Sequence, residues 1–226
     1  MHSALRKYVR AVLVEVMKTT QDAAGSNLAL MRVTDGQGKN TYVLYVPSAV
    51  EQMLVSGDIK HENISRAIVG FMYVQPHQGE AWNAGEVKLS AAQKGYGPLM
   101  YQYAMSDFAG GLFPDRGSTS QKARVVWQRY NQDSSVEKKP FDDPKNPKTP
   151  EPIDDMVAAR GTTYDGDEAY LNQAYDAPGD ASGRSSLMAA HQQFLTAMAA
   201  KKFTKNVVES MIENIGDEYF SMRYRE

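Results

Sequence analysis

The 226-residue chain contains no cysteine, which excludes disulfide bonds, thiolate metal ligands and cysteine nucleophiles. It has only four histidines, and none are spaced as helical metal ligands are, so we predict no metal site. No apolar run approaches the length of about 18 residues that a transmembrane helix needs, so we expect no membrane association. The net charge of -2 and the lack of a long basic run argue against strong nucleic-acid binding. Charges interrupt the apolar positions near the N-terminus, which argues against a secretory leader.

What the chain does have is an apolar fraction of 42%, enough for a globular core. Periodic patterns predict an amphipathic helix over residues 4–17 and a hairpin in which two β-rich runs flank "DGQGK". The stretch "SAVEQMLVSG" predicts a short helix that Ser48 caps and Gly57 ends. Further on, the sequence predicts strands in "RAIVGFMYVQ" and "EVKLSA", a helix over 98–108, and a second helix capped by Ser120 or Thr119.

This order of elements predicts an α+β domain over residues 1–130, built round an antiparallel sheet. Prolines and charges then dominate residues 131–185, so we expect an extended segment there that crosses or leaves the domain surface. Residues 186–226 return to apolar periodicity and predict two amphipathic helices.

The most informative stretch is "VKLSAAQKGYGPLMYQYAM", residues 87–105, in which a strand meets a glycine-rich turn and a helix start. Backbone N–H groups at such a turn converge on one point, and the helix dipole favours an anion there. Gly95 and Gly97 would admit a phosphate close to the backbone, with Lys94 available for a charge contact. A turn that needs glycine for purely conformational reasons is the alternative interpretation.

The strand "GEVKLSA", the turn and helix "AQKGYGPLMYQYAM" and the helix "STSQKARVVWQRY" together resemble the acetyl-coenzyme A-binding half of the GNAT acyltransferase superfamily. The signature of that superfamily is Arg or Gln, two residues, Gly, one residue, then Gly or Ala. Gly95 and Gly97 match it, whereas Ala92 occupies the first position. With the proline-rich segment and "YLNQAY", the chain more closely resembles a family of tailed-bacteriophage proteins that carry a GNAT-like domain.

The resemblance implies a set of site residues. The backbone amides of Lys94, Gly95, Tyr96 and Gly97 would bind the pyrophosphate of acetyl-coenzyme A. The pantetheine arm would lie along the preceding strand, at Val87, Lys88 and Leu89. Glu86 would be the general base, and a tyrosine of the helix after the last core strand would be the general acid, for which Tyr130 is the candidate because Trp127 stands at the comparable place.

Three functions remain open. The resemblance implies an N-acetyltransferase that acts on an amine of a small molecule or a macromolecule, in the host cytoplasm. The alternative is a non-catalytic protein of the virion or of the host interaction, which would bind a protein partner. A third, an ADP-ribosyltransferase, rests on "STS" at 118–120 with Arg32 upstream, but the chain lacks the Glu-x-Glu that this class requires. An enzyme would present amides 94–97 to an open cleft, whereas Tyr96, Tyr101 or the 131–155 segment would fill that cleft in a scaffold.

Overall fold

The computed structural model describes residues 22–23, 25–77, 83–115, 119–141, 169–177 and 181–225. As predicted, the fold is α+β, with a mainly antiparallel seven-stranded sheet flanked by helices. The strands are β1 Ala29–Thr34, β2 Asn40–Tyr45, β3 Ile68–Pro76, β4 Gly85–Ala92, β5 Leu112–Pro114, β6 Glu137–Pro140 and β7 Gln173–Asp176. The helices are α1 Pro47–Ser56, α2 His61–Ala67, α3 Gly97–Met105, α4 Gln121–Gln132, α5 Ala181–Ala200 and α6 Lys205–Arg225, with a 3₁₀ turn at Ala169–Leu171. The predicted helix over 4–17 lies outside the described residues.

The predicted hairpin is confirmed as β1 and β2, whose turn is closed by the Asp35 carboxylate. Its Oδ1 accepts hydrogen bonds from the amides of Gln37 at 2.8 Å and Lys39 at 2.9 Å. This local bonding is why the Asp-Gly signal in the sequence was reliable.

Gly57 ends α1 in the left-handed conformation, as predicted, with φ of 69°. The predicted serine cap is wrong, because the helix begins at Pro47 and Val46 occupies the cap position without a side-chain bond. Proline suits the first helical position, since its missing N–H would have had no intrahelical acceptor. Helix α2 was not predicted.

Strands β4 and β5 are the parallel pair in a sheet whose other described pairings are antiparallel. They are joined through α3 and pair over only three positions, the last of which is Val87 opposite Pro114. The next residue, Lys88, is the extra residue of a bulge in β4 opposite β3. Beyond the bulge, β4 continues to Ala92 paired with β3 but not with β5. Bulges bend strands and are common beside functional sites.

The sheet continues past the expected domain boundary at residue 130. Strand β7 inserts between β5 and β6, in the order β1-β2-β3-β4-β5-β7-β6. Part of the proline-rich segment therefore joins the sheet as its edge strand β6. Pro140 is tolerated there because proline has no N–H to donate and the outer side of an edge strand needs no donor. The following Phe141 is 2% exposed, and the rest of the segment to residue 168 lies outside the described residues.

The two predicted C-terminal helices are confirmed, and they form a layer of the same domain. Helix α5 packs on β1 and α6 packs on β2, β3 and β4. Apolar residues from α1, α2, α5 and α6 make one core with that face of the sheet, while α3 and α4 make the other core on the opposite face. None of the helices in the described ranges combines the length and apolar character that crossing a bilayer requires.

Asp107, two residues beyond α3, links several elements through one carboxylate that is 8% exposed. It accepts hydrogen bonds from Arg32 on β1 at 2.9 Å, Tyr42 on β2 at 2.7 Å and Arg184 on α5 at 2.5 Å. Burial, and then the charge of Asp107, raise the pKa of the Tyr42 hydroxyl, so the tyrosine stays neutral and donates. Two arginines thus balance one buried carboxylate, which is the arrangement that makes burying it tolerable.

A second buried polar chain joins α5 and α6 to the sheet. The Tyr45 hydroxyl lies 2.9 Å from Nδ1 of His191, and Nε2 of His191 lies 3.3 Å from Oε1 of Glu209. Burial lowers the pKa of His191, and the hydrogen bond and charge of Glu209 oppose that shift without reversing it. In the folded chain, His191 is therefore neutral at neutral pH.

Replacing Gly111 tests the contact that positions β5. Gly111 has φ of +78°, and an added Cβ would lie 2.2 Å from the carbonyl oxygen of Tyr175 on β7. Gly57 has a similar φ of +69° with nothing within 4 Å, so it is a matched control for backbone strain alone. We expect Gly57→Ala to lower the free energy of unfolding by about 1 kcal/mol and Gly111→Ala by roughly 3 kcal/mol or more, measured by urea denaturation. Equal losses would contradict the steric argument.

His191 makes stability depend on pH. Its pKa is lower in the folded chain than its ordinary value of 6.5, so between those two values the unfolded chain binds more protons. We therefore expect its contribution to stability to be complete above about pH 6.5 and to decline as the pH falls below that value. The free energy of unfolding of the wild type should fall more than that of His191→Gln between pH 7.5 and pH 5.5. Parallel pH profiles would contradict this role.

Candidate functional site

An open cleft of about 790 Å³ lies at the C-terminal end of β4. Its walls are the turn after β4, the first turns of α3 and α4, and the last turn of α6. This volume is in the range of small-molecule and cofactor sites. The predicted phosphate turn forms one of these walls, and Lys94, Gly95 and Gly97 line the cleft.

The turn is held rigidly from behind by Gln93. Its side-chain Nε2 donates to the carbonyl oxygens of Ser65 at 3.0 Å and Ile68 at 2.9 Å. Its backbone N–H donates to Val69 at 2.8 Å, and Tyr96 N–H donates back to Gln93 at 3.1 Å. Gly95 has φ of 92°, which explains why glycine is needed at that position. The turn is thus built before any ligand arrives.

Gly97 is different, because its backbone does not demand glycine. Its φ lies outside the left-handed region, and an added Cβ would meet nothing within 4 Å. Glycine here leaves open space beside the first turn of α3, where N–H groups have no intrahelical acceptor. Glycine at position 97 is therefore better explained by the close approach of a ligand than by a requirement of folding.

A second helix N-terminus faces the same cleft. Ser120 caps α4 as predicted, and its hydroxyl accepts a hydrogen bond from the Ala123 amide at 3.2 Å. Ser120, Gln121 and Lys122 all line the cleft. Two helix dipoles thus place partial positive charge at one site, which favours an anion.

Among the residues that the structure describes, three charged side chains line the cleft, and all three are cationic: Lys94, Lys122 and Arg223. Within the described part of the chain, neither Lys94 nor Lys122 forms an ion pair with a carboxylate. Elsewhere the described lysines commonly do so, as Lys88, Lys139 and Lys201 show. Lys94 and Lys122 therefore bring two positive charges to the cleft that no carboxylate in the described ranges pairs.

Ser90 and Tyr101 close the buried end of the cleft. Their hydroxyl oxygens are 2.9 Å apart, and the Tyr101 ring packs edge-on against Trp127 with centroids 5.0 Å apart. Burial raises the pKa of Tyr101 to about 12, and the hydrogen bond to Ser90 opposes the shift. Tyr101 is thus a neutral hydroxyl at the floor of the cleft, which remains open above it.

Glu86 lies on β4 beyond the lining of the cleft, in an ion-paired cluster. Lys88 Nζ lies 2.7 Å from Glu86 Oε1 and 3.3 Å from Asp115 Oδ1. Burial opposes the charge of Lys88, but the hydrogen bonds and charges of the two carboxylates outweigh it and raise its pKa. This cluster lies where β4 and β5 stop pairing. Glu86 on β4 and Asp115 just after β5 therefore bind the same Lys88 ammonium at the place where the strands separate.

Tyr130 is buried in the core between α3 and α4. Its hydroxyl donates to the Pro98 carbonyl oxygen at 3.1 Å, and burial raises its pKa. It contacts the rings of Tyr101, Trp127 and Tyr175 and is absent from the cleft lining. In this position it holds the first turn of α3 against α4.

The structure therefore brings three of the predicted site residues to the cleft, namely Lys94, Gly95 and Gly97. Glu86, Tyr96, Tyr130 and the strand residues Val87, Lys88 and Leu89 do not line it. The sequence predictions missed the contributions of α4 and α6. The Ser120 cap signal pointed to the start of α4, but no local signal placed α6 beside it.

The residues considered for ADP-ribosyl transfer have structural roles. Arg32 binds Asp107, Ser120 caps α4, and Thr119 donates to the Asp115 carbonyl at 3.2 Å, while Ser118 lies outside the described residues. In the described ranges, no group of three or more His, Asp or Glu side chains could hold a metal ion. Comparison with protein-family models, with curated proteins and with solved structures finds no match to the chain.

Proposed function

We propose that the chain binds acetyl-coenzyme A in this cleft and is a GNAT-like acyltransferase that acts on an amine. The observation that carries the proposal is that a glycine turn, two helix N-termini and the cationic side chains of the described lining meet at the part of β4 that β5 does not pair with. Each of the first three features favours phosphate, and the fourth suits an extended amide-bearing chain.

The residues present fit the parts of the ligand. The backbone of Lys94, Gly95 and Gly97 would bind the pyrophosphate, with the lysine side chain as a charge partner. Strand β4 offers backbone N–H and C=O groups on the side that β5 leaves unpaired after Val87, and the pantetheine amides would bond there. The arm would enter past Ser90 and run toward Glu86, about 13 Å along the strand at the usual rise per residue.

Glu86 would serve as the general base at the end of that path. It would accept a proton from the attacking amine as the new amide bond forms, and the carbon–sulfur bond breaks to release coenzyme A. Holding both reactants beside β4 would supply much of the rate enhancement by proximity. To act as the general acid, Tyr130 would have to break the hydrogen bond that its hydroxyl donates to the Pro98 carbonyl oxygen. Protonation of the leaving thiolate by water is therefore the simpler route.

A second candidate is a protein that binds the same ligand, or a partner, without transfer. The pairing of Glu86 with Lys88 at 2.7 Å and the burial of Tyr130 favour it. Under this alternative the cleft keeps its affinity for coenzyme A and the chain performs no chemistry. If the chain is instead an acyltransferase, the acceptor of the acetyl group would be a small amine or a protein amine.

Ligand binding tests the cleft. We expect wild-type protein to bind acetyl-coenzyme A in isothermal titration calorimetry, and Gly97→Trp to abolish binding by filling the open space beside Gly97. The same variant should unfold at a similar urea concentration, because the added side chain meets nothing within 4 Å at its Cβ. Gly57→Ala is the control for a remote glycine. No heat with wild-type protein at sub-millimolar ligand would sink the proposal.

Catalysis is tested separately, by following thiol release from acetyl-coenzyme A with a panel of amines. We expect Glu86→Gln to lower kcat by roughly 100-fold or more while leaving the dissociation constant for acetyl-coenzyme A unchanged, since Glu86 lies outside the cleft lining. Tyr130→Phe should leave kcat within about threefold of wild type, in keeping with a buried structural hydroxyl. Binding without turnover across the panel would support the non-catalytic candidate.

A further inference from the structure

Lys88 lies between the cleft and the proposed general base. It follows Val87, the last residue of β4 that pairs with β5, and it is the extra residue of the bulge opposite β3. The proposed path of the pantetheine arm runs along β4 from Ser90 to Glu86, and Lys88 stands at its midpoint, about 7 Å of strand from either end. A thioester that reaches Glu86 therefore passes this side chain.

The Lys88 ammonium is directed back at two carboxylates. Its Nζ lies 2.7 Å from Oε1 of Glu86 and 3.3 Å from Oδ1 of Asp115. The shorter contact has the length of a charge-assisted hydrogen bond, so an N–H of Lys88 already points at the Glu86 oxygen. A general base reaches the proton that it removes at this kind of distance. The proposed base thus has an amine of the chain itself as its partner.

The same contacts decide the protonation state of that amine. Burial lowers the pKa of Lys88, but the hydrogen bonds and charges of Glu86 and Asp115 outweigh burial and raise the pKa. At neutral pH Lys88 is therefore an ammonium, which has no lone pair for attack. Acetylation requires that a neighbouring carboxylate first accept a proton, and Glu86 is in hydrogen-bonding contact for that transfer.

The geometry favours Lys88 over an amine from solution. The Lys88 side chain is 28% exposed, so it is neither sealed in the core nor free in solvent. An external amine would have to displace the Lys88 ammonium to make the same contact with Glu86. An acceptor that is already held beside the reacting group avoids the loss of translational and rotational freedom that a second molecule incurs. The lysine of the chain is therefore the first acceptor that this arrangement presents.

We propose that Lys88 is an acetylation site and that the chain transfers the acetyl group to it from acetyl-coenzyme A bound in the cleft. The inference rests on the proposed function, because it uses the same ligand and the same base. Glu86 accepts one proton from the ammonium and releases it to water. The Lys88 nitrogen then attacks the thioester carbonyl carbon, so that the C–N bond forms and the carbon–sulfur bond breaks. A second proton leaves the nitrogen and passes through water to the thiolate, which departs as free coenzyme A.

Lys139 provides a matched internal control for uncatalysed acetylation. Its side chain is 29% exposed, and its Nζ lies 3.6 Å from Glu137 and 3.5 Å from Asp176, so it resembles Lys88 in exposure and in charged neighbours. It lies on β6, however, with β5 and β7 between that strand and β4. Three strand spacings amount to about 14 Å, which separates Lys139 from the path along β4.

The experiment incubates the full chain with acetyl-coenzyme A and follows acetylation of each lysine by peptide mass spectrometry. In wild type we expect Lys88 to be acetylated about tenfold or more faster than Lys139, as proximity to the bound thioester predicts. Glu86→Gln should lower the rate at Lys88 by about tenfold or more, through loss of the base, and leave the rate at Lys139 unchanged. Gly97→Trp, which fills the cleft, should have the same selective effect. Lys88→Arg keeps the positive charge and should give no acetyl group at position 88.

The outcomes separate this inference from the proposed function. If wild type binds acetyl-coenzyme A and acetylates external amines while Lys88 stays unmodified, the inference is overturned and the proposed function stands. Equal rates at Lys88 and Lys139, or an unchanged Lys88 rate in both Glu86→Gln and Gly97→Trp, also overturn it. Selective acetylation of Lys88 without turnover of any external amine supports it, with the chain as its own acceptor. If acetyl-coenzyme A does not bind wild type, both are overturned.

Discussion

The short parallel pairing of β4 and β5 is the constraint on which the rest of this structure depends. It ends after three pairs of residues, where the bulge at Lys88 turns β4 away. Had the two strands paired along their length, the edge of β4 would be covered and no cleft would open at Ser90. Glu86 and Asp115 both form ion pairs with the Lys88 ammonium, and these contacts stabilise the place where the two strands separate.

Two rigid supports keep that opening in shape. Behind the turn, Gln93 bonds backbone oxygens at Ser65 and Ile68, so α2 and β3 position the amides. At the far end of α3, Asp107 receives hydrogen bonds from β1, β2 and α5. Helix α3 is therefore held at both ends, and its first turn is presented to the cleft with little freedom to move.

The sequence predicted the features that depend on neighbouring residues. The Asp35 turn, the Gly57 helix end and the Ser120 cap each need only local bonding, and each was predicted correctly. The Gly95 turn was also predicted, but the hydrogen bonds of Gln93 that support it reach residues distant in the sequence. Helix α2 was missed because it is short and has no side-chain cap at Lys60. Strand β6 was hidden by its proline-rich surroundings, since composition shows what a segment disfavours but not which edge strand it joins.

The site followed the same division. Lys94, Gly95 and Gly97 were predicted because one local pattern carries them. The contribution of α6 could not be predicted, because Phe220 and Tyr224 are more than a hundred residues from the turn. The packing of α6 on the sheet, including the close approach of Gly216 to Phe71, brings them there. Glu86 was predicted on the right strand, while its ion pair with Lys88 depends on a bulge that the sequence does not reveal.

The insertion of β7 between β5 and β6 has a consequence for the order in which the protein folds. Strand β5 obtains its second neighbour only when Tyr175 arrives opposite Leu112, which lies more than sixty residues earlier in the sequence. The hairpin of β1 and β2, by contrast, closes across five residues. Distant pairings form slowly and open readily, so the half of the sheet that bears the cleft should assemble last and exchange its amide hydrogens first.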